Sequence, residues 1–143
     1  MKIKIKRFDS TLPLPEYKSP GAAAFDLSAR ESTTIPAGKV VLVPLNIALE
    51  LPKGYWALLS ARSSLHKLGL SLANGIGVGD EDYCGDNDEY KAALLNFTHN
   101  DVTVEKGQRI VQMMILERER ADFEEVENLT SDDRGGYGST GQM

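Results

Sequence analysis

The stretch of this chain with the most chemistry in it is "NGIGVGDEDYCGDNDEY", Asn74 to Tyr90, where glycines at 75, 77 and 79 are followed by seven acidic or amide residues. Three uses are open to such a segment: a phosphate cradle, a calcium loop, or a ribbon on which a ligand lies against the backbone itself. Calcium fails on spacing, because a loop starting at Asp80 needs Asp or Asn where Cys84 stands and Glu where Lys91 stands. A dinucleotide turn fails because Asp80 occupies the last glycine position and no long helix follows. No glycine-lysine-serine/threonine triplet exists, so a Walker loop is excluded. What remains is a β-hairpin whose bare glycines let a flat ligand approach peptide groups. A second segment, "DRGGYGSTG" near the C-terminus, joins an arginine and an aromatic ring to flexible backbone N–H groups, the parts that wrap a phosphate chain.

Elements short enough to present such a ribbon are legible in the hydrophobic pattern. Ile3 and Ile5 alternate with lysines, and β-branched or aliphatic runs occupy 40 to 51, 56 to 59, 92 to 97 and 110 to 116. Between them, "LPLPEYKSPGA", "IPAGK", "LPKGY" and "HNDVTVEKGQ" carry turn residues. Many short strands with regular punctuation predict an all-β jelly-roll-like barrel. Only "SSLHKL" reads as helical, for a turn or two. After residue 117 the chain becomes charged and poor in aliphatics, so residues 1 to 117 are expected to form the barrel and 118 to 143 an arm.

Composition narrows the function further. A chain of 143 residues fits one domain. Its apolar runs are too short to span a bilayer, and "MKIKIKRF" lacks the apolar stretch of a signal peptide, so a cytoplasmic protein with no membrane partner is expected. One cysteine, Cys84, and two histidines, His66 and His99, make neither a disulfide nor a zinc set. A net charge of -5 opposes a nucleic-acid partner. An anionic ligand therefore calls for a divalent cation.

Five segments, in order, resemble the five motifs of the trimeric deoxyuridine triphosphatase (dUTPase) family: "SPGAAAFDLSA" (19 to 29), "ARSSLHKLG" (61 to 69), "NGIGVGDEDYCG" (74 to 85), "KGQRIVQMMI" (106 to 115) and "RGGYGSTG" (134 to 141). The resemblance implies hydrolysis of dUTP to dUMP and pyrophosphate by a homotrimer of jelly-roll subunits. Its active sites lie between subunits, and the arm acts as a lid.

The resemblance also assigns roles. Asp80 matches the catalytic aspartate that activates a water for attack on the α-phosphorus. Tyr83 lies against the deoxyribose and leaves no room for a 2′-hydroxyl. Asn74, with Val78, Gly79 and Lys91 of the hairpin, belongs to the substrate site, where fixed amide groups read the uracil edge. Arg62, Ser63, Ser64 and Gln112 match phosphate-contacting positions, although an arginine at a turn is usually a plain surface charge and Gln112 also fits the polar face of a strand. From the arm, Arg134 clamps the γ-phosphate, Tyr137 stacks on uracil, and Gly138, Ser139 and Thr140 wrap the phosphates. Asp26 matches the aspartate that holds a hydrated Mg²⁺.

Three departures accompany the match. Gly79 stands where the family usually carries isoleucine or a similar apolar residue, and the loss of a packed side chain is expected to loosen the backbone beside Asp80. "DNDE" (86 to 89) lengthens the return of the hairpin and is expected to be a solvated acidic loop. Tyr137 replaces a more usual phenylalanine and keeps a stacking face. Two other readings stay open: an impaired or non-catalytic nucleotide-binding paralogue because of Gly79, and a dCTP deaminase of the same fold.

Overall fold

The computed structural model describes residues 1–139 and 141. Among these, every regular element but one is a strand. The exception is a single 3₁₀ turn at Leu65–Leu68, inside the segment expected to be helical, which ends on Gly69 in the left-handed conformation. Eleven strands pair only antiparallel: β1 (Lys4–Arg7) with β5 (Ile47–Glu50), and β3 (Thr33–Ile35) with β10 (Val102–Val104). β2 (Phe25–Ser28), β11 (Arg109–Glu117), β6 (Tyr55–Ala61) and β8 (Gly77–Gly79) form one sheet in that order, and β4 (Val40–Pro44), β9 (Lys91–Asn96) and β7 (Leu70–Leu72) form another. This is the all-β, jelly-roll-like architecture that the punctuated strand pattern predicts.

Alternation explains which residues enter the core. Along β6, Ala57 and Leu59 point inward, and along β9 Ala92 and Leu94 do so. On β11 the alternation breaks, because Ile110 and Val111 are both buried; the register with β2 shifts between Arg109 and Val111, and this bulge turns consecutive side chains to one side. Leu27, Ile35, Leu45, Leu94 and Met113 close the centre of the packing. Each such side chain taken out of water contributes about 1.5–3 kcal/mol.

The run at 40 to 51 is not one strand. Asn46 adopts φ 75, which ends β4 and reorients the chain into β5. Its side chain makes the break worthwhile: Oδ1 accepts the Asp9 N–H at 2.6 Å, Nδ2 donates to the Asp9 carbonyl at 3.1 Å, and its own N–H donates to the Glu89 carboxylate at 2.9 Å. Nor is 74 to 90 a two-stranded hairpin. β8 pairs with β6 while β9 pairs with β4 and β7, so the acidic stretch is a loop crossing from one sheet to the other.

The expectation of a solvated "DNDE" loop fails at its last residue. Glu89 is only 5% exposed, held by Arg30 through two bonds of 2.7 and 3.1 Å and by the Asn46 N–H. Asp86 and Asn87 do lie at the surface. The inserted residues are therefore pinned to the barrel by a partly buried, bidentate ion pair, the geometry in which a guanidinium and a carboxylate match best.

Candidate active site

The strands place the expected site residues in three groups. The first lines a cleft of about 270 Å³ formed by Leu59, Asn74, Gly77, Val78, Gly79, Tyr83, Glu89, Tyr90 and Lys91. Asn74 and Lys91 are exposed at its rim, and so is Val78. Gly77 and Gly79 form its backbone wall: a Cβ on Gly77 would stand 3.0 Å from the Leu59 Cβ, and one on Gly79 would stand 3.1 Å from the Ala57 Cβ. The glycines are there because side chains of β6 already occupy that space. Tyr83 donates its hydroxyl to the Glu89 carbonyl at 2.8 Å, which fixes the ring across the cleft.

The second group is ionic and joins three elements. Asp26 on β2 accepts from Arg62 Nε at 3.1 Å on one oxygen and from Arg109 at 3.0 Å on the other. Arg62 also donates to the Arg109 carbonyl at 3.2 Å. Gln112 faces Asp26 on one side and Ser60 on the other across β11, and donates to the Ala61 carbonyl at 3.1 Å. Ser63 and Ser64 lead into the 3₁₀ turn beside Arg62, and the Ser64 hydroxyl makes no capping bond to it. Two guanidinium groups, an amide and two hydroxyls gathered at one sheet edge suit an anion.

Asp80 belongs to neither group. It is exposed just past the end of β8, its carbonyl accepts the Tyr83 N–H at 3.1 Å, and with Glu81, Asp82, Arg118 and Arg120 it borders a separate shallow cleft. Glu81 anchors that turn by accepting from the Gly54 N–H and from Arg118. The Gly54 bond, followed by the Arg118 guanidinium, holds the Glu81 carboxyl below its usual range. Arg118 in turn donates its N–H to the Gly54 carbonyl at 2.8 Å, so the arm leaves the body beside Asp80.

The register measures the separation. Gln112 sits level with Ser60, whereas Gly79 sits level with Ala57 and two strands away. With strands about 4.8 Å apart and residues about 3.3 Å apart along them, the Cα atoms of Asp80 and Gln112 stand about 16 Å from each other, and Asp80 and Asp26 about 20 Å. No single phosphorus atom is within reach of both. The arm does not bridge the gap: Phe123, Leu129 and Tyr137 are almost wholly exposed, and Arg134 bonds only to the neighbouring Gly135 carbonyl among the described residues. Gly138 and Ser139 are equally exposed, and Thr140 lies outside the described residues.

The chain matches the dUTPase family profile over residues 10–141. The chain belongs to the dUTPase family. It is 41% identical to the deoxyuridine 5′-triphosphate nucleotidohydrolase of Rickettsia bellii strain OSU 85-389, over 97% of this chain and 95% of that one. Its fold superposes on the crystal structure of the dUTPase from Streptococcus mutans with a TM-score of 0.76 and 32% identity, covering 83% of this chain and 98% of that one. It also superposes on the Staphylococcus bacteriophage 80alpha dUTPase with dUPNHPP, with a TM-score of 0.85 and 20% identity over 98% of both.

Within a dUTPase scaffold, three residues missed by sequence reasoning matter. Arg109 lies inside the fourth motif segment, but no local signal shows that β2 presents Asp26 to it; only the register of β2 on β11 does. Glu89 looks like surface acid, and nothing local pairs it with Arg30. Tyr90 ends the very stretch richest in chemistry, yet its packing on Gly79 depends on a contact eleven residues back in the chain. Gly79 itself corrects an expectation. It is a buried, strand-paired residue with the Tyr90 ring where a side chain would stand, so the packing a side chain would give is supplied by another residue.

Asp26 also bears on Mg²⁺. Each of its oxygens accepts one guanidinium N–H, which leaves lone pairs free for metal-bound water. Among the described residues no cluster of three or more acidic, histidine or cysteine side chains could cage a metal. The donor set fits a hydrated ion held at its water shell by one carboxylate.

Proposed function

We propose that the chain hydrolyses dUTP to dUMP and pyrophosphate, with Asp80 as the base that takes a proton from the attacking water. The observation that carries this reading is that the family match spans residues 10–141, and so covers the segments that hold Asp80, the anion-binding edge and the glycine-rich tail. The cleft beneath β8 takes the pyrimidine, with Asn74, Val78, Gly79 and Lys91 around its edge and Tyr83 against the sugar. The edge formed by Arg62, Ser63, Ser64 and Gln112 takes phosphate oxygens.

Those two halves are too far apart in one chain to serve one nucleotide, which supports a homotrimer in which each site draws on neighbouring subunits. Val40 and Leu42, which share one face of β4, are large apolar residues left exposed on the single chain. The arm, residues 118 to 143, closes over a neighbour's site, bringing Arg134 to the γ-phosphate, Tyr137 to the base, and Gly138, Ser139 and Thr140 around the phosphates. Its exposure on its own barrel supports that assignment. Mg²⁺ held through water by Asp26 supplies charge neutralisation to the triphosphate. No helix of the described residues is long and apolar enough to cross a membrane, and a cytoplasmic location accords with a nucleotide substrate.

Pyrophosphate release measured across the deoxynucleoside triphosphates with Mg²⁺ tests the reading. dUTP is the expected substrate, and Asp80→Asn should lower kcat by at least about a hundredfold, the lower bound for a lost general base. Release of ammonia from dCTP would replace it with the deaminase, and tight dUTP binding without turnover with the non-catalytic nucleotide-binding paralogue. Neither is favoured, since the relatives at about 40% identity are deoxyuridine 5′-triphosphate nucleotidohydrolases.

A further inference from the structure

Gly79 is bare because another residue fills its place. A Cβ built on it would lie 2.8 Å from Tyr90 Cε1 and 3.1 Å from the Tyr90 hydroxyl oxygen, with the Ala57 Cβ 3.1 Å away on the other side. Its φ is not in the left-handed region, so the position is closed to side chains by crowding and not by backbone conformation. The backbone of Tyr90 is held in place. Its N–H donates to the Ile47 carbonyl at 3.0 Å and its carbonyl accepts from the Leu45 N–H at 2.9 Å, which ties it to the β5 side of the core.

We propose that Tyr90 is a positioning residue for Asp80, its ring supplying through space the packing that a side chain at position 79 would supply through the chain. This inference rests on the dUTPase reading of the site. The ring touches the segment that carries Asp80 on two sides: it packs on Gly79, immediately before Asp80, and it meets the Tyr83 ring edge-on, with centroids 5.4 Å apart at 72°. Tyr83 closes the turn by donating its N–H to the Asp80 carbonyl. Both flanks of Asp80 thus lean on one aromatic side chain that is 4% exposed.

This role needs the ring and not the hydroxyl. It is buried and has no hydrogen-bond partner among the described residues, an arrangement that weakens a fold and that phenylalanine would avoid. Burial, then the nearby groups Tyr83, Cys84, Asp80 and Asp88, which make a further negative charge unfavourable, push its pKa up to about 12, so the phenol beside Asp80 stays neutral at any working pH.

A double-mutant cycle between positions 79 and 90 tests the proposal on the full-length protein, with kcat and KM for dUTP and the thermal midpoint as readouts. Gly79→Ile and Tyr90→Val should each lower kcat about a hundredfold, the usual effect of misplacing a reacting group by about an ångström, with KM moving much less. Tyr90→Phe, which restores the ring, should recover most of the loss seen in Tyr90→Val. The pair Gly79→Ile/Tyr90→Val, where an aliphatic side chain at 79 meets a reduced one at 90, should return kcat to within about tenfold of the parent. If the double variant turns over no faster than Tyr90→Val, the proposal is overturned, and that comparison stands even when Gly79→Ile alone does not fold. Coupling in the thermal midpoint with no coupling in kcat would make the pair structural and would also overturn it. A parent protein that releases no pyrophosphate from dUTP would instead sink the activity itself.

Discussion

Glycine means opposite things in the two glycine-rich segments of this molecule. In the cleft, Gly77 and Gly79 have ordinary strand backbones and are bare because Leu59, Ala57 and Tyr90 stand where a Cβ would go. In the arm, Gly135, Gly138 and Gly141 sit at φ 82, 88 and 85, and around Gly138 and Gly141 nothing lies within 4 Å. The first set is fixed by its neighbours and makes a rigid wall. The second has no such neighbours around Gly138 and Gly141 and takes backbone conformations open to glycine, which suits the proposed wrapping of a phosphate chain. The same residue type therefore marks the most constrained and the least constrained parts of the site.

The sharpest way to break this comparison is to remove the arm. Past Arg118 its described residues make no ladder hydrogen bonds and leave their apolar side chains exposed, so deletion from Asp132 onward should leave the thermal midpoint unchanged while kcat/KM falls by about a thousandfold, as when a lid and its arginine clamp are lost. A truncated protein with full turnover would mean the arm's glycines serve no closure. Equal loss of stability and activity would mean the arm is part of the fold.

The rigid half carries the opposite expectation. Glu89→Gln should lower stability by about 1.5–3 kcal/mol, because it trades two charge-assisted bonds from a partly exposed Arg30 guanidinium for those to a neutral amide. Denaturant unfolding measures it, and the loss of activity should follow unfolding and nothing else. A shift below about 1 kcal/mol, the range of an exposed pair, would show that the inserted loop is not anchored by this one.

How far the sequence foretold these two halves depends on the range of the interactions involved. Strand positions at 56 to 59, 92 to 97 and 110 to 116 are legible because alternation is a local property, and the structure places a strand over each with ends moved by a residue or two. The division of 40 to 51 is not, since Asn46 breaks the run through partners at Asp9 and Glu89, far away in the chain. The site shows the same limit. Asp80, Asp26, Arg62 and Gln112 can be named from motifs, but their division into groups about 16–20 Å apart is a matter of strand order and register. Arg109, Glu89 and Tyr90 escape because each acts through a side chain brought in from another part of the chain.

Alkaline unfolding sharpens the wall further. Tyr90 titrates at about 12 in the folded protein against a usual 10.0, so the folded state favours the neutral phenol. Its contribution is complete below pH 10 and is lost as pH rises through 12. Relative to Tyr90→Phe, which cannot ionise there, the parent should lose on the order of 2 kcal/mol between pH 10 and 12. Identical alkaline limbs would mean that the ring is more accessible than its packing on Gly79 allows.

The smallest expected effect separates the two kinds of glycine most directly. Gly77→Ala puts a Cβ 3.0 Å from the Leu59 Cβ, a contact that only a shift of β8 or β6 can relieve, and overpacking of this kind costs about 1–3 kcal/mol. The reduced entropy of the unfolded chain returns about 0.4–1 kcal/mol, leaving a net loss of stability of about 1 kcal/mol, read as a lowered thermal midpoint. Gly138→Ala meets nothing in space, but its φ of 88 disfavours any side chain. Because Gly138 is exposed and the described arm residues past Arg118 make no ladder hydrogen bonds, that strain should leave the midpoint unmoved and appear only in kcat/KM, by about fivefold to thirtyfold if closure requires the same backbone and the strain is about 1–2 kcal/mol. Should Gly138→Ala shift the midpoint and Gly77→Ala leave it alone, the roles given to wall and lid would be reversed.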